Sequence, residues 1–258
     1  MSTKLSAVII TFNEETNIER CLNSVQKVAD EIIVLDSFST DNTEEICKKY
    51  NVKFHQHKFD GHIQQKNRAI NMSQNDYVLS LDADECLDEI LISKIKEIKN
   101  NTEFDAYKFN RLTNYCGKWI KHSGWYPDIK LRIWDKTKGK WGGVNPHDKV
   151  IMTENTKVKH LKGDLLHYSY YSINQHIAQF NAFTEIGANE AFKKGKKSSL
   201  FITLYKSVWK FNRDYFFKLG FLDGYYGFVI CALSSQATFA KYLKLHELNK
   251  KTKSNGIK

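Results

Sequence analysis

Asp82, Ala83 and Asp84 close an apolar run, Asp76-Tyr77-Val78-Leu79-Ser80-Leu81, and Glu85 follows. Two carboxylates one residue apart offer hard oxygen donors of the kind Mg²⁺ or Mn²⁺ takes. A cation held there can bridge to a diphosphate. If the run is a strand, the triplet stands just past its C-terminal end, where open α/β sheets hold their ligands. An acidic pair after a strand also serves as an ordinary turn or helix cap. The triplet therefore gains meaning from whatever else reaches the same place.

Hydrophobic period supplies the elements that would position it. Residues 5–12, 31–35, 52–55 and 77–81 are short apolar runs rich in β-branched residues and are predicted as strands. Between them, Ile18, Cys21, Leu22, Val25 and Val28 recur at helical spacing. Helices are also predicted over residues 42–50, 62–72 and 88–99, with Thr16 or Asn17, and Ser39-Thr40-Asp41, as caps. This alternation predicts an α/β fold with a mostly parallel sheet and helices on both faces. No GxGxxG follows the first strand and no P-loop pattern occurs, which argues against a dinucleotide or NTPase site. From residue 107 the pattern changes to short strands at 106–111, 129–134 and 165–168, predicted as a small antiparallel addition. From residue 173 the chain reads as helices over 173–194, 200–219 and 225–248.

The 258 residues suffice for one α/β domain with a helical extension. Two prolines and no Gly/Ser-rich linker give no sign of independent domains. The net charge is +10, concentrated late, at Lys193 to Lys197 and in the lysine-rich tail from Lys241. Such a surface suits an acidic partner or an anionic membrane. No nucleic-acid signature accompanies it, so no nucleic-acid partner is expected. Five scattered cysteines without a CxxC pair indicate neither zinc nor a disulfide framework. Met1-Ser-Thr-Lys leads straight into the first strand, so no signal peptide is expected. The longest apolar stretch, 216–232, carries Lys218 and Asp223 and is too polar to span a bilayer.

Four segments fall at the ends of predicted elements: Thr11-Phe12-Asn13-Glu14-Glu15, Asp36-Ser37-Phe38-Ser39-Thr40-Asp41, Gln65-Lys66-Asn67-Arg68-Ala69, and Asp82-Ala83-Asp84-Glu85. Together they resemble the family-2 nucleotide-sugar glycosyltransferases of GT-A fold. Gly124-Trp125-Tyr126-Pro127-Asp128, Leu131-Arg132-Ile133-Trp134 and Val144-Asn145-Pro146-His147-Asp148 look like the bacterial branch that adds glucose to the lipopolysaccharide inner core. The resemblance implies a catalytic domain over 1–170, with the donor half at 1–100 and the acceptor half at 101–170. A helical extension follows over 171–258.

It implies site residues as well. Thr11, Asn13, Glu15 and Asp36 would contact the nucleoside, and Lys66 and Arg68 would neutralise the diphosphate. Ala83 would face the ribose, with Asp82 beside it. Asp84 and His167 would hold Mg²⁺ or Mn²⁺, although a lone histidine is often structural. Inversion at the anomeric carbon needs a base near the acceptor hydroxyl; Asp148 and Asp128 are both candidates. Relatives often show His-Glu where this chain has Pro146-His147-Asp148. Trp125, Tyr126 and His147 would line the acceptor site.

The reading is therefore a metal-dependent transferase taking a UDP-sugar, with glucose favoured, to a lipid-linked acceptor at the inner face of the cytoplasmic membrane. Transfer to a capsule or polyprenyl-linked glycan, and a non-catalytic sugar-nucleotide-binding module, stand as alternatives. The aromatic and basic residues between Phe201 and Lys218 suit either an interfacial helix or a packed helical hairpin.

Overall fold

The computed structural model describes residues 2–144 and 147–255, with side chains at 2–143 and 148–251. Asn145 and Pro146 lie outside the described residues, as does the side chain of His147. The chain divides into two compact units, Met1–Leu112 with Asp128–Tyr168, and Thr113–Pro127 with Ser169–Lys258.

Unit 1 opens with the predicted alternation: β1 (Leu5–Thr11), α1 (Ile18–Val25), β2 (Glu31–Asp36), α2 (Thr43–Lys48), β3 (Lys53–Gln56), α3 (His62–Asn71) and β4 (Tyr77–Asp82). β1 pairs in parallel with β2 on one side and β4 on the other, and β2 pairs in parallel with β3. Strand order therefore reverses at β1, the switch point at which open α/β sheets leave a crevice. The register decides which segments meet there. Thr11 stands opposite Asp36, and Ile10 opposite Asp82, so three of the four sequence segments begin at one end of the sheet.

The strands bury both faces, which is why they read as near-continuous apolar runs. On β1, Leu5, Ala7 and Ile9 pack with Ile18, Cys21, Leu22 and Val25 of α1. Val8, one step out of phase, packs on the other face with Ile33, Leu35 and Ala69. Cys21 and Cys47 are buried and unbridged.

The second half of unit 1 is antiparallel. β5 (Glu85–Leu87) and α4 (Glu89–Asn100) follow the acidic triplet, and Asp88 caps α4 through Leu91 N–H. Then come β6 (Ala106–Tyr115), β7 (Lys118–Ile120), β8 (Asp128–Asp135), β9 (Gly139–Val144), β10 (His147–Met152) and β11 (Val158–Tyr170). The main sheet runs β3-β2-β1-β4-β8-β6-β11-β5, and β9 and β10 form a separate hairpin. β11 starts well before the expected strand at 165–168, and the hairpin was not expected at all. Gly139, Gly142 and Gly143 break the apolar alternation there, although Trp141 and Val150 still pair across it.

Unit 2 contains β7 with the end of β6 from Thr113, and three helices: α5 (Ile173–Lys193), α6 (Leu200–Asn212) and α7 (Gly224–Asn255). Ser172 and Gln175 form a reciprocal capping box at the start of α5. The helix expected over 200–219 widens into a π turn, Arg213–Phe217, and ends where Leu219 adopts φ +54°. Gly227 of α7 lies against the chain at Gly220, whose carbonyl oxygen would be 1.9 Å from a Cβ there, so only glycine fits. No single helix among the described residues is long and apolar enough to cross a membrane. Leu200–Phe217 and Gly220–Lys251 meet that test only as a pair, bent by 70° at the break.

Candidate active site

β4 ends at Asp82, and Ala83-Asp84 turn the chain into β5, which pairs antiparallel with β11 so that Glu85 faces His167. Tyr168 N–H donates to the Asp84 carbonyl oxygen at 2.9 Å. This register brings the two residues assigned to the metal together: His167 Nε2 lies 3.1 Å from Asp84 Oδ2. His167 Nδ1 is buried with no hydrogen-bond partner. Among the described residues no three His, Cys, Asp or Glu groups gather into a metal cluster, so the protein offers two donors. One carboxylate and one imidazole fit Mn²⁺ or Mg²⁺ if oxygens of a bound diphosphate and water complete the shell.

Beside this pair lies a buried ion network. Lys66, on the inner face of α3 and 4% exposed, places Nζ 2.9 Å from Asp82 Oδ1 and 2.9 Å from Asp148 Oδ2. Arg132 of β8, 3% exposed, reaches Asp82 at 3.2 Å and Glu85 at 2.6 Å. The other Glu85 oxygen accepts from Asp82 N–H. Trp141 lies under both cations, 4.3 Å from Lys66 and 5.2 Å from Arg132. Its indole N–H donates to Ser80 Oγ at 3.1 Å, which fixes the ring.

Burial alone would raise the Asp82 carboxyl, but Lys66 and then Arg132 outweigh it and hold it well below the usual carboxylate range. For Arg132, burial is likewise outweighed by Glu85 and Asp82, so its guanidinium holds its proton more tightly than usual. These groups line a cavity of about 610 Å³, with Lys66, Asp82, Arg111, Arg132, Trp141 and Asp148 in its wall. That volume lies in the range of small-ligand sites.

The two base candidates differ in their bonds. Asp128, at the start of β8, receives Arg111 Nε and Nη2 at 3.0 and 2.7 Å, and Lys130 at 3.0 Å. Burial raises its carboxyl, yet Arg111 and Lys130 bring it below the usual range. Asp148 Oδ2 accepts from Lys66 Nζ at 2.9 Å, and Oδ1 has no hydrogen-bond partner among the described residues.

At the ends of β1 and β2, two loops interlock. Asn13, at φ +53°, donates its N–H to Ser39 Oγ at 2.8 Å and accepts Thr40 N–H at 2.8 Å. Glu15 accepts Asn42 N–H at 3.1 Å, and its own N–H goes to Asp41. Asn13 and Glu15 therefore tie the two loops together. Asp36 is fully buried and accepts from Ser39 N–H at 2.8 Å and Gln56 Nε2 at 3.2 Å. Thr11 Oγ1 is buried without a partner.

Arg68 stands apart from this network. Arg68 is two positions from Lys66 and so on another side of α3. Its guanidinium is bound by Asp60 at 2.8 and 3.1 Å and does not join the network. Trp125 and Tyr126 belong to unit 2, where Trp125 packs against Tyr115, Tyr170 and His176.

Glu85, Arg111, Arg132 and Trp141 escaped assignment from sequence. A single arginine inside the apolar strand Leu131-Arg132-Ile133-Trp134 was a readable signal, because a buried charge needs a partner. Glu14 escaped too. Burial pushes its carboxyl up to about 7, against the Asn17 hydrogen bond and with help from Asp84, Asp41 and Asp82. Phe12 and Phe38, on the two interlocked loops, both expose more than half their surface.

Residues 6–195 match the family model described as Glycosyl transferase family 2. An uncharacterized glycosyltransferase of Rickettsia typhi is 34% identical over 262 residues, covering 97% of this chain and 89% of that protein. The lipopolysaccharide core biosynthesis glycosyltransferase LpsC of Rhizobium meliloti is 24% identical, covering 94% and 92%. The crystal structure of S. aureus TarS 1-349 in complex with UDP aligns over 97% of this chain and 92% of that one, with a TM-score of 0.49 and 16% identity.

Proposed function

Because this chain belongs to glycosyl transferase family 2, we propose that it is an inverting enzyme moving a sugar, with glucose favoured, from a UDP-sugar to a glycan acceptor carried on lipid. The lipopolysaccharide core role named for the Rhizobium meliloti relative supports the acceptor class. The reading places the work at the inner face of the cytoplasmic membrane. The observation that carries it is the pairing of Asp84 with His167 in the turn directly after Asp82, while Asp82 itself joins Lys66 and Asp148 in the wall of one cavity.

In this reading the interlocked loops after β1 and β2 seat the nucleoside, with Asp36 holding its loop closed and Thr11 Oγ1 free to bond the base or ribose. Lys66 and Arg132 set the field at the diphosphate. Asp84 and His167 would hold a divalent cation, which would supply charge stabilisation for the departing UDP when bound. Asp148 takes the proton of the acceptor hydroxyl as its oxygen bonds the anomeric carbon, and the C–O bonding pair leaves with UDP. Asp148 suits this better than Asp128 because its Oδ1 has no partner among the described residues, whereas Arg111 and Lys130 hold Asp128 anionic and weakly basic. Lys66 must loosen its grip on Asp148 for that transfer. An incoming diphosphate offers it the competing anion.

The test is UDP release measured across UDP-sugars, with and without delipidated core acceptors, in Mn²⁺, Mg²⁺ or EDTA. Acceptor-stimulated release from one donor, lost in EDTA, is the expected result. Turnover with no donor, despite tight UDP binding, would reduce the chain to a binding module.

A further inference from the structure

We propose that the outward face of α6, continued by the turns after it, is a docking surface for an anionic lipid bilayer. An amphipathic helix on a soluble protein turns its apolar stripe toward the core. α6 does the reverse. Phe201, Leu204, Tyr205, Val208 and Trp209 recur at helical spacing and face outward, with Phe201 77% and Val208 61% exposed. They line a cavity of about 560 Å³ with Phe217. The inward side carries small polar groups: Thr203 is fully buried, and Ser207 Oγ bonds the Ser235 carbonyl and hydroxyl of α7, both at 2.9 Å.

The apolar surface continues into the turns, where Phe217 is 71% and Tyr225 67% exposed and Leu222 stands outward as well. So large a patch on a water-facing surface signals a partner.

Charge selects that partner. Unit 2 carries 16 Lys and Arg against 5 Asp and Glu, a net +11, which leaves −1 for unit 1. The whole basic excess of the chain therefore sits in the unit that exposes these aromatics. Lys193, Lys194, Lys196 and Lys197 are all exposed and directly precede Leu200 and Phe201. Aromatic and aliphatic side chains rimmed by lysines suit the interface of an anionic bilayer, where rings enter the acyl boundary and ammonium groups meet phosphate. A second copy of the chain fits worse, because protein interfaces are depleted in lysine and two like patches would meet with the same sign.

The inference deepens the lipid-linked acceptor reading and rests on it for the biological target. Vesicle binding is read without sugar transfer, so either can fail alone. The full chain is sedimented with phosphatidylcholine vesicles, with or without phosphatidylglycerol, at low and high salt. Binding is expected to the anionic vesicles, to weaken as salt rises, and to fall about tenfold or more in the double variant Phe201→Ser/Phe217→Ser. The UDP affinity and circular dichroism of that variant should match the parent, since both side chains are exposed. Replacing the four lysines at 193–197 with glutamine should remove most of the salt dependence. Unchanged vesicle binding by the double variant overturns the proposal. So does the absence of vesicle binding together with a dimer, seen by light scattering, that the same double variant splits.

Discussion

Lys66→Met removes the cation that bridges Asp82 and Asp148, and the cost can be estimated from their surroundings. Lys66 is 5% exposed at the side chain, Asp82 30% and Asp148 14%, so solvent screens these pairs only partly. Removing one partner of a buried ion pair costs about 3–5 kcal/mol, because a charge is left without compensation. Arg132 stays 3.2 Å from Asp82, so the lower end applies, roughly 3 kcal/mol. For a chain of this size that corresponds to a melting temperature lower by about 6–12 °C.

The pH dependence carries a sign. The Asp82 carboxyl is depressed in the folded protein, so its stabilisation is complete above the unfolded value, near 4, and is lost as pH falls through the lower folded value. Thermal unfolding of parent and variant should therefore differ by a constant amount from pH 7 to 5, with the gap closing below about pH 4. A variant within 2 °C of the parent at pH 7, or a gap that widens in acid, would refute the account.

Asp148→Asn should keep its shape and its UDP affinity but lose about 10²–10⁴ in transfer rate, the usual share of a positioned base; a loss confined to a few-fold would move the role to Asp128. Asp84→Ala should abolish the gain in UDP affinity that Mn²⁺ gives, read by calorimetry with and without the ion, and an undiminished gain would remove Asp84 from the cation site. Glu14→Gln should raise the melting temperature at pH 8 and leave it unchanged near pH 4. In the parent, a carboxyl raised to about 7 must surrender its preferred proton above neutrality, which lowers stability there, by roughly 1–3 kcal/mol. Equal effects at both pH values would show that Glu14 ionises normally.

The parallel half of the fold was legible because its signals are local. β1 to β4 and their helices were read within a residue or two at most ends, since buried strands are apolar throughout and α1 shows its period openly. Asp84 and His167 were brought together by the family resemblance and not by any spacing, because what joins them in the fold is the antiparallel register of β5 on β11. Lys66 was read as a cation for substrate, but its two carboxylate partners come from β4 and β10, and no spacing encodes that. The hairpin was hidden by its glycines, whose strand propensity is low. The exposed face of α6 was hidden for the opposite reason: an aromatic stripe reads the same whether it faces a core or the outside.

The position of β5 sets an order on how the chain comes to life. β5 borders the sheet through β11 alone, and between Asp84 and His167 the chain must first lay down β6 and β8. As the polypeptide emerges from a ribosome, the two interlocked loops are complete once Thr43 has appeared, before β4 exists. The acidic turn then waits for its histidine on the order of ten seconds at ordinary elongation rates. In that interval the segments of both loops have already been made, while Asp84 still lacks the imidazole that will lie beside it. The strand that brings His167 to Asp84 is thus also the last of the sheet to be made, and the parallel half of the sheet is born before the strand that completes its acidic turn.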